Sequence, residues 1–223
     1  MNHLRFDAAI IDLDGTMVDT VGDFEQALGA TLAELGLAPV DRAFIALTVG
    51  KGSEYLIKKS LAQVGGQASL YERAWDRYQH HYQRFNGHHS TVYPGVEAGL
   101  KLLRQRGLRL ACLTNKPSAF AQALLREKNL GPWFDHIFGG DAFARKKPDP
   151  LPLLKTCEAL QALPQRVLMV GDSSNDAQAA RAAGCPVVLV SYGYNHGEPV
   201  AQAGADAVID GLAQLGPLLD SKP

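Results

Sequence analysis

The chain has 223 residues, 46% of them hydrophobic, with 22 Lys and Arg against 23 Asp and Glu. That length and apolar content favour one compact domain with a smaller insertion over disorder or two equal domains. The balanced charge, with no Lys/Arg-rich run to track a phosphate backbone, argues against nucleic acid as a partner.

The three cysteines, Cys112, Cys157 and Cys185, are an odd number and form no CxxC pair, which argues against a disulfide framework and fits a reducing compartment. No signal-peptide pattern and no apolar run of membrane-spanning length is evident, so a soluble, cytoplasmic protein without membrane contact is expected.

The first run, Ala8–Leu13, is aliphatic without polar alternation, the pattern of a strand buried on both faces. From about Val18 to Thr91 no strand is expected, and helical periodicity recurs at Phe24–Leu35, Asp41–Thr48, Ser53–Val64 and Ser69–Phe85. The stretch closes at Asn86–Pro94, "NGHHSTVYP", which Gly87 and Pro94 punctuate. Helices and strands then alternate. A helix at Gly95–Arg106 precedes a strand at Leu108–Leu113, and a helix at Ser118–Lys128 precedes a weak strand at His136–Phe138. Leu151–Leu160 and Asn175–Ala183 read as helices around the strand Val167–Val170, with Pro186–Val190 and a weaker Ala207–Ile209 as the last strands. This alternation predicts an α/β fold: a Rossmann-like parallel sheet with helices on both faces, plus a small all-helical domain inserted after the first strand. The expected division is 1–17 and 92–223 for the sheet domain and 18–91 for the insertion, with Met17 and Val18 beginning the hinge.

Polar residues follow the apolar runs. Asp12 and Asp14 end the first; Thr114, Asn115 and Lys116 end the second; Lys146 and Lys147 precede "PDP"; and "GDSSND", Gly171 to Asp176, follows Val167–Val170. In an open parallel sheet, residues beyond the carboxyl ends of strands converge. Four carboxylates, an ammonium and a hydroxyl aimed at one place call for a cation and an anionic ligand. A hard divalent ion such as Mg²⁺, which bridges carboxylates to phosphate oxygens, fits that set.

With these residues, "DLDGT", Thr114, Lys147 before Pro148 and "GDSSND", the sequence resembles the haloacid dehalogenase-like phosphohydrolases over nearly its whole length. Each motif alone is weak, and singly each could be an ordinary turn, cap or solvated loop; all four in order are specific. The insertion resembles the cap of the phosphoglycolate phosphatase-like branch, with "VGKGSEYLIKKSL" as its cap loop and following helix.

The resemblance implies a role for each position. Asp12 is the expected nucleophile and forms an aspartyl phosphate. Asp14 is the expected general acid and then base, its backbone carbonyl helping to hold the metal. Thr114 and the Asn115 amide would bind the phosphoryl group, and Lys147 would neutralise its charge, with Lys146 leaving a register question. Asp172 would ligate Mg²⁺ with Asp12, and Asp176 would ligate it directly or through water. The implied activity is a Mg²⁺-dependent phosphomonoesterase acting on a small phosphate ester, with 2-phosphoglycolate first. Asp14 favours phosphate-ester chemistry over dehalogenation. A phosphomutase, a broader sugar-phosphate, nucleotide or pyrophosphatase activity, and a non-catalytic phosphometabolite sensor are the alternatives.

Outside the motifs, Lys51 in "GKG" reads equally as a solvated turn or as a reader of a substrate carboxylate. His80, His81, His88 and His89 read as solvated surface, and His196 as a loop residue. Tyr71, Trp75, Tyr78 and Tyr82 recur at helical spacing, the pattern of packing or of a subunit contact. Either a monomer or a homodimer is compatible with the sequence.

Overall fold

Strand β1 (Ala8–Ile11) has no polar residue because both of its faces are covered, Ala9 and Ile11 packing into one apolar cluster and Ala8 and Ile10 into another. The computed structural model describes residues 6–220; residues 1–5 and 221–223, which the sequence assigns to the sheet domain, lie outside the described residues. After β1 come β2 (Val18–Asp19), helices α1 (Val21–Glu34), α2 (Arg42–Thr48), α3 (Ser53–Gln63) and α4 (Tyr71–Phe85), and β3 (Thr91–Val92). The chain continues through α5 (Val96–Gln105), β4 (Arg109–Leu113), α6 (Ser118–Glu127), β5 (His136–Phe138), α7 (Leu151–Ala159) and β6 (Val167–Gly171). It ends with α8 (Ser174–Ala183), β7 (Val187–Val190), β8 (Ala207–Ile209) and α9 (Gly216–Asp220).

Six strands form one parallel sheet in the order β5-β4-β1-β6-β7-β8. The alternation seen in β1 holds across it: Leu110 and Cys112 of β4 face Leu100 and Leu103 of α5, whereas Ala111 and Leu113 face the cluster holding Leu153 of α7 and Ala180 of α8. The order reverses on either side of β1, since the chain builds outward to β5 before returning to β6. That places a crevice beyond the carboxyl ends of β1, β4 and β6.

The helices α1–α4 form an all-helical cap after β1, and their apolar faces make a third cluster in which Phe24, Leu28 and Leu32 of α1 meet Tyr78 and Tyr82 of α4. The stretch from 18 to 91 is bounded by strands: β2 and β3 pair antiparallel, Val18 opposite Val92, too short at two residues each to leave a periodic signal. His81 is buried, not solvated, with Nε2 2.8 Å from Glu34 Oε1, because it lies on the face of α4 turned to α1. His80, His88 and His89 are exposed. Cys157 and Cys185, far apart in sequence, lie with their sulfurs 3.8 Å apart as free thiols. Among the described residues, no helix is long and apolar enough to cross a membrane.

Candidate active site

Asp12 follows β1 directly, its N–H donating to the Val170 carbonyl of β6 at 2.9 Å, so the chain leaves the sheet still tied to its neighbour. A tight turn follows, with Met17 N–H on the Leu13 carbonyl and Gly15 N–H on the Val18 carbonyl. Gly15 has φ +81°, and a Cβ there would stand 2.3 Å from Asp172 Oδ2. Only glycine allows both the left-handed turn and this approach. Gly193 presses on Asp172 from the other side, where a Cβ would meet the Asp172 Cβ at 2.1 Å.

Asp12, Asp172 and Asp176 each bring a carboxylate oxygen within 4.8 Å of the others, and all three are buried. Lys147 faces them. Its Nζ lies 3.0 Å from Asp12 Oδ1 and donates to Asp176 Oδ1 at 2.6 Å and to the Leu113 carbonyl at 3.0 Å. Lys146 is half-buried, with its ammonium 3.4 Å from Glu54, so of the two adjacent lysines only Lys147 meets Asp12. Asp176 Oδ2 accepts from the N–H groups of Asp172 and Ser173 and from the Ser173 hydroxyl. Asp172 Oδ1 accepts from the Thr16 hydroxyl and Oδ2 from the Tyr194 N–H.

Burial and the neighbouring Asp176 charge push the Asp12 carboxyl up to about 7 although Lys147 opposes them. Burial, then the charges of Asp176 and Asp12, raise Asp172 well above the usual carboxylate range. Burial works against the Lys147 ammonium as well, but the Asp12 and Asp176 carboxylates outweigh it and raise its pKa. Three carboxylates thus face one ammonium, and Asp12 Oδ1, though paired in charge with Lys147, is a buried oxygen that accepts no directed hydrogen bond. An oxygen-only donor set with excess negative charge and an unsatisfied oxygen fits a hard metal cation.

Asp12 and Asp14 share a pocket with Thr114, Asn115 and Lys116 from the sheet and Phe24, Val49, Gly50, Gly52, Ser53 and Leu56 from the cap. Sequence reasoning left Lys116 without a role. Its ammonium donates to Asp14 Oδ1 at 2.9 Å and to Tyr82 Oη at 2.5 Å, and lies 4.7 Å from the Phe24 ring centre. Burial, then the Asp14 charge, holds the Tyr82 hydroxyl well above its usual pKa, so it stays neutral beside the ammonium.

The pocket closes on the Gly50 carbonyl, which accepts from Asn115 Nδ2 at 2.9 Å and Asn175 Nδ2 at 3.3 Å. Asn115 also brackets Lys147, donating to its carbonyl and accepting from its N–H. His196 lies 3.2 Å from Asn175 Nδ2 and 3.3 Å from the Leu47 carbonyl, so this loop residue touches the cap. Burial, then the Lys51 charge, lowers the His196 pKa. Lys51 itself is exposed, with its ammonium 5.3 Å from the Tyr55 ring centre. The glycines on either side of it line the pocket and Lys51 does not. The structure therefore gathers Asp12, Asp14, Thr114, Asn115, Lys147, Asp172 and Asp176 and leaves Lys51 outside. In the sequence, Lys116 is marked only by its place in "TNK", and Asn175 only by its place in "GDSSND".

A parallel sheet with acids beyond its central strands and a helical cap closing over them defines a hydrolase class, the haloacid dehalogenase-like hydrolases, whose family model matches residues 6–184; the chain belongs to this family. Within it, the phosphoglycolate phosphatase of Nitrosospira multiformis is 44% identical across 97% of this chain and 96% of its own. That of Thiobacillus denitrificans is 41% identical across 95% and 94%. A crystal structure of a predicted phosphoglycolate phosphatase from Haemophilus somnus superposes with a TM-score of 0.91 at 29% identity, covering 96% of this chain and 98% of that one.

Proposed function

We propose that the protein is a Mg²⁺-dependent phosphomonoesterase that hydrolyses 2-phosphoglycolate to glycolate and phosphate. The observation that carries the chemistry is the pair of acids in one pocket with separate cations, Asp12 on Lys147 and Asp14 on Lys116. Two carboxylates held apart in this way can do different work. The names of the full-length relatives support the substrate.

In this reading one Asp12 carboxylate oxygen attacks phosphorus while the ester oxygen departs, taking a proton from Asp14. Asp14 then accepts a proton from a water molecule as that water attacks the aspartyl phosphate, and Asp12 and inorganic phosphate are released. The Thr114 hydroxyl and the Asn115 N–H donate to the phosphoryl oxygens, and the Lys147 ammonium offsets their charge as it spreads in the transition state. Asp12, Asp172 and the Asp14 carbonyl would hold Mg²⁺, while Asp176, whose two oxygens already accept from Lys147 and from the Asp172–Ser173 turn, would orient its waters. Bound Mg²⁺ supplies positive charge against the phosphoryl oxygens. Residues 18–91 act as a cap that closes over the core formed by 1–17 and 92–223, excludes bulk water and opens for release.

Phosphate release across 2-phosphoglycolate, sugar phosphates, nucleotides and pyrophosphate, with and without Mg²⁺, tests this function. The highest kcat/KM is expected for 2-phosphoglycolate, with turnover lost on chelation. A higher kcat/KM for a sugar phosphate, or isomerisation of one without phosphate release, would overturn it.

A further inference from the structure

Lys116 is buried, and among the described residues that line the pocket it is the sole cation. In the phosphoryl-transfer steps above it enters only as the partner of Asp14, with no contact to the substrate assigned to it. An ammonium offers three N–H donors, and two are taken by Asp14 and Tyr82. The rings of Phe24 and Tyr82, with centres 4.7 and 4.8 Å away, keep water from it, and in such surroundings a charge pair is stronger than at the surface.

We infer that Lys116 binds a carboxylate of the substrate and makes the pocket selective for phosphate esters that carry a carboxylate one methylene from the ester oxygen. The inference rests on the phosphomonoesterase reading, in which Asp14 reaches the ester oxygen. A carboxylate one methylene away lies about one hydrogen-bond length from that oxygen. The ammonium is 2.9 Å from Asp14 Oδ1, so acid and cation are spaced like the two groups they meet. The remaining walls supply little else to hold a polar tail, because Phe24, Val49 and Leu56 are apolar and Ser53 brings the one cap hydroxyl. Lys51, the other lysine that the sequence offers for this task, is exposed and does not line the pocket.

The test compares wild type and Lys116→Met on 2-phosphoglycolate and on ethyl phosphate, and measures inhibition by 3-phosphonopropionate and by propylphosphonate. The loss of kcat/KM in Lys116→Met is expected to be about a hundredfold greater on 2-phosphoglycolate than on ethyl phosphate, mostly through KM, the scale of one hydrogen bond between charged groups. Its preference for 3-phosphonopropionate over propylphosphonate should vanish. Equal losses on the two esters, or a retained preference for the carboxylated phosphonate, would overturn the role of Lys116 and leave the phosphatase reading intact. Wild type that acts on ethyl phosphate as well as on 2-phosphoglycolate would overturn the substrate reading and this inference together. Should Lys116→Met not fold, wild type labelled with ¹³C at lysine Cε serves instead, with Lys116→Arg identifying the signal. That signal should move with 3-phosphonopropionate and stay with propylphosphonate, and the opposite result would refute the contact.

Discussion

Asp12 and Lys147 form a buried ion pair, and their variants should fail in different ways. Asp12→Asn keeps shape and hydrogen-bonding capacity but cannot form the acyl phosphate, so phosphate release should fall by at least about 10³-fold while the circular dichroism spectrum is unchanged. Wild-type turnover in that variant would remove Asp12 from the nucleophile's place. Lys147→Met instead takes the counter-charge from two buried carboxylates, Asp12 and Asp176. Breaking a buried pair in this way costs about 3–5 kcal/mol, which urea unfolding without metal would measure. The acids and Lys147 were legible because each sits in a short run next to a recognisable strand or proline. Lys116 was not, because its meaning lies in Asp14 and Tyr82, which are 102 and 34 residues away in sequence. His81 was misread for a similar reason, its partner Glu34 being on another helix.

Helix α1 shows how distant residues set an element's limits. Apolar periodicity places its start at Phe24, yet it begins at Val21, because the Tyr194 hydroxyl accepts from the Thr20 and Val21 N–H groups and Asp19 accepts from Val21 as well. No local pattern announces a cap supplied from 174 residues away. The existence and order of the core helices and strands were legible, since covered strands and amphipathic helices leave strong periodic signals. The β2–β3 pair was not. Asp23, fully buried in the first turn of α1, accepts from the N–H groups of Gly87 and His89, where the chain leaves α4. Asp23→Ala leaves the buried Gly87 N–H without its partner, at about 1–3 kcal/mol, and releases the N–H of the exposed His89. A lowered unfolding midpoint is expected, with faster amide exchange at Gly87 and His89 than at the strands of the sheet. Unchanged exchange there would show that the exit of α4 is held by other contacts.

For the whole molecule, the buried acids couple stability to pH and to metal. Asp12 has a folded pKa of about 7 against 3.8 in the unfolded chain. Between those values the folded state keeps a proton that the unfolded state has lost, and the raised Asp172 acts in the same direction, so metal-free stability falls as pH rises through that window. A divalent cation held by the deprotonated carboxylate, Mg²⁺ in the proposed reading, would stabilise the folded state by mass action. Thermal melts should therefore show a larger Mg²⁺-induced rise in Tm at pH 8 than at pH 5.5. An equal rise at both values would mean that the acids around Lys147 do not hold the ion.

Val18 and Val92 lie opposite each other, so the polypeptide departs from the sheet and comes back to it at one point. Because the ends already meet there, the entropy of closing the intervening chain grows only slowly with its length. The sheet is thus indifferent to the size of what is spliced between them. A longer or shorter helical graft at this seam could reshape the chamber above Asp12 without disturbing a single rung of the β1 ladders.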